Sequence, residues 1–244
     1  MNDTERLPIG LVICGTPPAA LTAYDAGYLP MFRALLAPHG VDLEAVEAHA
    51  GRIHPEPDRF AGYVLTGSAS SVYDPDPWIA DAVAFVREAV DAGIPLAGIC
   101  FGHQLIAHAL GGRVEKAEAG WGVGVQEYAL TAPLAAGGPA TMRLQAMHQD
   151  QVRTTPEGAV VWARSDHCPV AGFTVGDGVW TVQAHPEFTA DLADGIIGLR
   201  AERFGPDLVA RARAGLHGPT DHDAVGAAIA RFFRAAVGAR STTS

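Results

Sequence analysis

Short apolar runs alternate with longer amphipathic stretches along most of the chain, the pattern that predicts a parallel or mixed sheet covered by helices. Residues 9–14 predict a buried strand that ends at Gly15 and Pro17-Pro18. Tyr28, Met31, Phe32, Leu35 and Leu36 recur at helical spacing, and Gly40 stops that helix. Strands are expected at 43–48 and 63–66, separated by a loop through Pro55 and Pro57. Pro77 suits a helix start, and Ile79, Val83, Phe85, Val86 and Val90 form its apolar stripe up to Gly93. A strand at 95–99 then runs into a helix at 101–110, closed by Gly111-Gly112.

From 120 to 184 the character changes. Several β-rich pieces (123–130, 142–144, 160–163, 170–175, 180–184) are joined by turns, which predicts an antiparallel addition to the sheet. After Pro186 the pattern is helical to about Val237, followed by a polar tail at 240–244 that is expected to fray. Leu192, Ile196, Ile197 and Leu199 read as a buried stripe, so this region is expected to lie on the sheet as a lid. The fold class is therefore α/β: a central, mostly parallel sheet flanked by helices, with an antiparallel β addition and a C-terminal helical extension. One domain is expected over 7–238, its extension covering about 189–238, with flexible termini at 1–6 and 239–244.

Composition narrows the function. Asp and Glu number 27 against 17 Lys and Arg in 244 residues, a formal charge of −10, and no basic run interrupts the trend. Such a chain repels a polyphosphate backbone, so nucleic acid is not an expected partner. With 48% apolar and 18% charged residues it is neither disordered nor a coiled coil. Cys14, Cys100 and Cys168 are too few and too widely spaced for a disulfide framework and fit a reducing compartment. No stretch approaches the roughly 20 apolar residues of a membrane helix, and the start lacks a signal-like apolar run. A cytoplasmic location without membrane attachment is expected.

The sharpest local signal is Gly98-Ile99-Cys100-Phe101-Gly102-His103-Gln104. It is the cysteine form of the G-x-S-x-G elbow, with a strand before and a helix after. A nucleophile at such a bend is held in a strained conformation, and glycines let the crossing segments pack closely. The helix N-terminus behind Cys100 stabilises negative charge on the sulfur, and the Phe101 N–H points where an oxyanion would form. Cys14 and Cys168 lack this setting and read as core residues. A cysteine nucleophile needs a base, and the base a group that fixes its tautomer. In Gln183-Ala184-His185-Pro186-Glu187, Pro186 biases His185 to extended backbone, and residues two apart then face one side. Glu187 is thereby placed beside the His185 imidazole, leaving its other nitrogen for Cys100. Among the ten His no H-E-x-x-H or Cys/His cluster occurs, so neither a metal nor another cofactor is expected.

Together, GICFGHQLIAHALGG at 98–112 and QAHPEF at 183–188 resemble the class I, or triad, glutamine amidotransferase family. The likeness runs from about 9 to 188 and is nearest to stand-alone members similar to the glutaminase half of GMP synthase and to γ-glutamyl peptidases. It implies a flavodoxin-like fold and a catalytic triad of Cys100, His185 and Glu187. Val64-Leu65-Thr66-Gly67-Ser68 resembles the family's oxyanion loop, so the Gly67 N–H would join that of Phe101. Gln104, and His148, Gln149 and Asp150 of Met147-His148-Gln149-Asp150-Gln151-Val152, correspond to residues that hold the glutamine head group. Gly120-Trp121-Gly122-Val123-Gly124 and Ser165-Asp166-His167-Cys168-Pro169 also resemble stand-alone members, although Trp121 reads equally well as core packing. The implied activity is hydrolysis of the glutamine γ-amide through a γ-glutamyl thioester on Cys100, releasing ammonia. The small-molecule substrate would be glutamine or another γ-glutamyl compound.

No G-x-x-x-x-G-K-[ST] phosphate loop is present, and about 50 residues after Phe188 are too few for a synthetase domain. Two arrangements stay open: a separate synthetase partner that accepts the ammonia, or a free-standing hydrolase. Two further functions stay open with them, a γ-glutamyl peptidase acting on glutathione-like conjugates and a non-catalytic regulatory subunit.

Overall fold

The computed structural model of the chain describes residues 6–51 and 57–241. The first half supplies β1 (Leu7–Ile13), α1 (Tyr28–Leu36), β2 (Val41–Glu47), β3 (Tyr63–Leu65), α2 (Pro77–Asp91), β4 (Leu96–Ile99) and α3 (Phe101–Ala109). The strands β5 (Arg113–Lys116), β6 (Gly122–Leu130), β7 (Thr141–His148), β8 (Asp150–Thr154), β9 (Ala159–Arg164), β10 (Gly172–Val175) and β11 (Val179–Val182) follow. The chain then turns helical through α4 (Ala190–Leu199), α5 (Ala201–Phe204), α6 (Pro206–Ala214) and α7 (His222–Ser241).

The main sheet has nine strands in the order β2-β1-β3-β4-β11-β10-β9-β6-β7. Pairing is parallel from β2 through β4 to β11, and antiparallel from β11 onward through β10, β9, β6 and β7. This is the mostly parallel sheet with an antiparallel addition that the hydrophobic pattern predicts. In β1 every residue except Pro8 is buried, as expected of a strand covered on both faces. Two cores result. One lies under α1, α4 and α7 and contains Ile9, Phe32, Ile197, Ile229 and Phe233; the other lies under α2 and α3 and contains Leu65, Phe85, Val86 and Leu105.

Some boundaries differ from the sequence pattern for physical reasons. β7 extends well beyond the expected 142–144, because it pairs with β6 continuously from Thr141 to His148. β5 and β8 form a separate antiparallel pair that the pattern does not announce, since both carry charged residues on short segments. α7 ends at Ser241, and Arg6 Nε donates to Asp42 Oδ1 at 2.5 Å. Leu192, Ile196 and Ile197 are buried as expected, whereas Leu199 is 51% exposed at the end of α4. The expectations for 1–5, for 242–244 and for the loop at Pro55 lie outside the described residues.

Candidate active site

The bend between β4 and α3 is built around Cys100. Its φ of 53° and ψ of −102° make it the one non-glycine with positive φ among the described residues. Such a conformation costs about 1–3 kcal/mol and persists where the surroundings over-determine it. Here they do. Cys100 N–H donates to Val182 O at 2.9 Å, and Gly102 N–H to Thr66 O at 3.1 Å. A Cβ on Gly98 would sit 2.6 Å from Gly102 O, and one on Gly102 would strike Leu65 O. The two glycines are therefore required by close backbone crossing, as the motif implies.

His185 arrives from the neighbouring strand. β4 and β11 are paired in parallel, with Gly98 opposite Thr181 and Ile99 opposite Val182. Three residues past β11, the His185 N–H donates to Gln145 O at 2.8 Å, which fixes the extended segment against β7. His185 Nδ1–H donates to Glu187 Oε1 at 2.7 Å, and the imidazole stands with Cys100 against Gly67. Phe188 stacks on the imidazole at 3.9 Å between centroids. Burial opposes charge on His185, but the Cys100 sulfur and the Glu187 carboxylate outweigh it and push the imidazole pKa up to about 10. The three groups form a buried chain of sulfur, imidazolium and carboxylate.

Gly67 closes the other side. A Cβ there would lie 2.9 Å from His185 Cε1, so this loop position admits no side chain without displacing the imidazole. Neither the Gly67 N–H nor the Phe101 N–H donates to a partner among the described residues. Both stand beside Cys100, free to donate to an oxygen on a carbon bonded to its sulfur.

Cys100 opens into a cavity of about 150 Å³ that Gln104, His148, Gln149 and Asp150 also line. The structure thus brings together the four residues that the resemblance names for the head group. Gln104 Nε2 donates to Asp150 O at 2.8 Å and to Gln183 Oε1 at 3.1 Å, which fixes the cavity wall. Asp150 Oδ2 accepts from Ser71 Oγ at 2.5 Å and from Tyr73 OH at 3.0 Å, which braces its carboxyl group beside the cavity. His148 donates through Nδ1 to Asp150 O at 3.2 Å. Burial first, then His167 and His185, lower its pKa to about 3, so it is neutral.

Sequence reasoning missed several residues of this site. Gln183 Nε2 donates to Cys100 Sγ at 3.7 Å; its place two residues before His185 on an extended segment was the available signal. Lys116, Arg200 and Arg203 also line the cavity, and no motif marks them. Trp121 lines it too, with Phe204 at 5.1 Å and the Arg203 guanidinium over its ring at 4.6 Å. Cys14 and Cys168 are buried and line neither this cavity nor its neighbour beside His185, and burial pushes both thiols up to about 12. His103 is a core residue bonded to Thr181 Oγ1 at 2.9 Å. Among the described residues no group of three or more His, Cys, Asp or Glu is placed to hold a metal. No helix there is long and apolar enough to cross a membrane.

The glutamine amidotransferase class-I family matches residues 23–197. The γ-glutamyl peptidase 4 of Arabidopsis thaliana is 31% identical over 180 residues, 70% of this chain and 72% of that protein. The glutamine-hydrolysing GMP synthase of Corynebacterium glutamicum is 30% identical, covering 92% of this chain but 46% of that protein. The solved structure of a glutamine amidotransferase from Thermotoga maritima superposes with a TM-score of 0.73 at 17% identity, over 96% of this chain and 99% of that one. The chain belongs to the class-I glutamine amidotransferase family, enzymes that work through a cysteine nucleophile.

Proposed function

We propose that the chain hydrolyses γ-glutamyl amides, glutamine among them, with Cys100, His185 and Glu187 as its triad. The observation that carries this reading is His185, bonded through Nδ1 to Glu187 and standing with Cys100 against Gly67. The sulfur attacks the γ-carbonyl carbon, and the Gly67 and Phe101 N–H groups receive the developing oxyanion, each such donor being worth about 3–4 kcal/mol elsewhere. The C–N bond breaks as His185 gives its proton to the departing amine, which leaves a γ-glutamyl thioester. His185 then takes a proton from water, whose oxygen adds to the thioester carbon; the C–S bond breaks and glutamate departs. Asp150, Gln104, His148 and Gln149 hold the α-substituents. A non-catalytic role is disfavoured by the intact triad. The relation to GMP synthases supports a synthetase partner as an acceptor of ammonia, and the reading stands with or without one.

The test is mass spectrometry of acid-quenched protein after incubation with glutamine. A γ-glutamyl adduct on the Cys100 peptide, with ammonia release that Cys100→Ala abolishes, is expected. Ammonia release by Cys100→Ala equal to that of the wild type would refute the nucleophile assignment.

A further inference from the structure

Two cavities meet at the reactive pair, and they differ in which member they touch. The first is lined by Cys100 and does not reach His185. The second, of about 330 Å³, is lined by His185, Tyr28, Phe188, Ile196 and the Pro17-Pro18 turn, and does not reach Cys100. Arg200 borders both. In the reaction above the acyl carbon is bonded to the Cys100 sulfur, while the departing nitrogen takes its proton from His185. The γ-glutamyl half therefore belongs in the first cavity and the amine half in the second. Ammonia is close to water in size and needs about 30 Å³. The second cavity is far larger than that, and polar atoms and carbon share its walls about equally.

Arg200 is the one permanently charged side chain among the described residues that line the second cavity. It caps the C-terminus of α4, half-buried, where α5 begins. Its guanidinium forms no ion pair with a carboxylate among the described residues. Burial, then the nearby Arg203, lower its proton affinity, against the pull of Tyr28 and the Cys100 sulfur. A half-buried cation without a counter-charge is unfavourable until a ligand supplies one, and a planar guanidinium suits a carboxylate. Lys116 and Arg203 line the first cavity but not the second, so Arg200 is the cation that reaches the amine half.

We propose that the preferred substrate is a γ-glutamyl amino acid or peptide, the carboxylate of whose amine half is bound by Arg200. This rests on the Cys100 reading above and adds the identity of the leaving amine. The probes are γ-glutamyl-leucine, γ-glutamyl-leucinamide and glutamine, compared by kcat/KM. Wild type is expected to favour the acid over its amide by roughly 10- to 100-fold, the size of one charge-assisted hydrogen bond. Arg200→Gln is expected to bring that ratio close to one, and Arg200→Lys to retain part of it. The ratio is internal to each variant, so partial loss of folded protein does not move it. A wild-type ratio near one, a ratio that Arg200→Gln leaves intact, or a preference for glutamine would overturn the Arg200 assignment while thioester formation still stood. Absence of a Cys100 adduct with all three probes would instead overturn the underlying reaction.

Discussion

At the scale of single residues, the site depends on a histidine whose charge is set by its neighbours. His185 is pushed from an ordinary 6.5 up to about 10, with burial acting against the pull of the Cys100 sulfur and Glu187. A raised histidine contributes stability that is complete below its unfolded pKa and is lost as pH climbs through the folded one. The melting-temperature advantage of wild type over His185→Asn is therefore expected to shrink between about pH 6.5 and pH 10. An advantage that is flat or grows across that window would contradict the ion-paired assignment. Glu187→Gln keeps the size of the side chain but loses the charge that holds Nδ1–H, and is expected to lower kcat by about 10²- to 10⁴-fold with KM little changed. Steady-state kinetics on glutamine would decide it. With Cys14 and Cys168 pushed up to about 12, alkylation of native protein near pH 8 should modify one thiol per chain. The three residues of the proposed triad could be brought together from the sequence because they sit in two short motifs with stiff local geometry. Arg200 could not, because its position depends on where a helix ends and which loop it meets.

Elements carry these residues through backbone contact. The elbow works only if β3, β4 and the start of α3 cross without Cβ atoms between them. Gly98→Ala places a carbon against Gly102 O, a clash with backbone that has no flexible end to yield, and is expected to cost about 1–3 kcal/mol in urea unfolding. Gly178→Ala, where a Cβ meets nothing within 4 Å, serves as the control and should cost less than about 0.5 kcal/mol. Equal losses for the two would mean that crossing geometry does not hold the bend. Most elements could be read from period and punctuation, such as α1 up to Gly40 and α2 from Pro77. The pair β5–β8 could not, because strand partners of charged, four- and five-residue segments are chosen by tertiary contact.

Across the whole molecule, the two ends of the chain share one core. Leu7 and Ile9 of β1 lie in the same apolar cluster as Val225, Ile229 and Phe233 of α7. Phe233 is fully buried, and Phe233→Ala should cost about 3–5 kcal/mol. Unfolding curves from circular dichroism and tryptophan fluorescence are expected to coincide, since no element has a core of its own to retain. Separate transitions would show that the helical extension is an independent unit. One arrangement already described reaches further than stability. Nucleophile and base ride on adjacent, hydrogen-bonded strands, so their separation is as rigid as the spacing of a sheet. The guanidinium assigned to the amine half comes instead from a helix junction, outside that lattice. On the proposed reading, bond breaking and the choice of bond are thus entrusted to different parts of the chain. If Arg200 holds the amine half as proposed, a change at the joint between α4 and α5 would alter the leaving amine while the reacting pair stayed untouched.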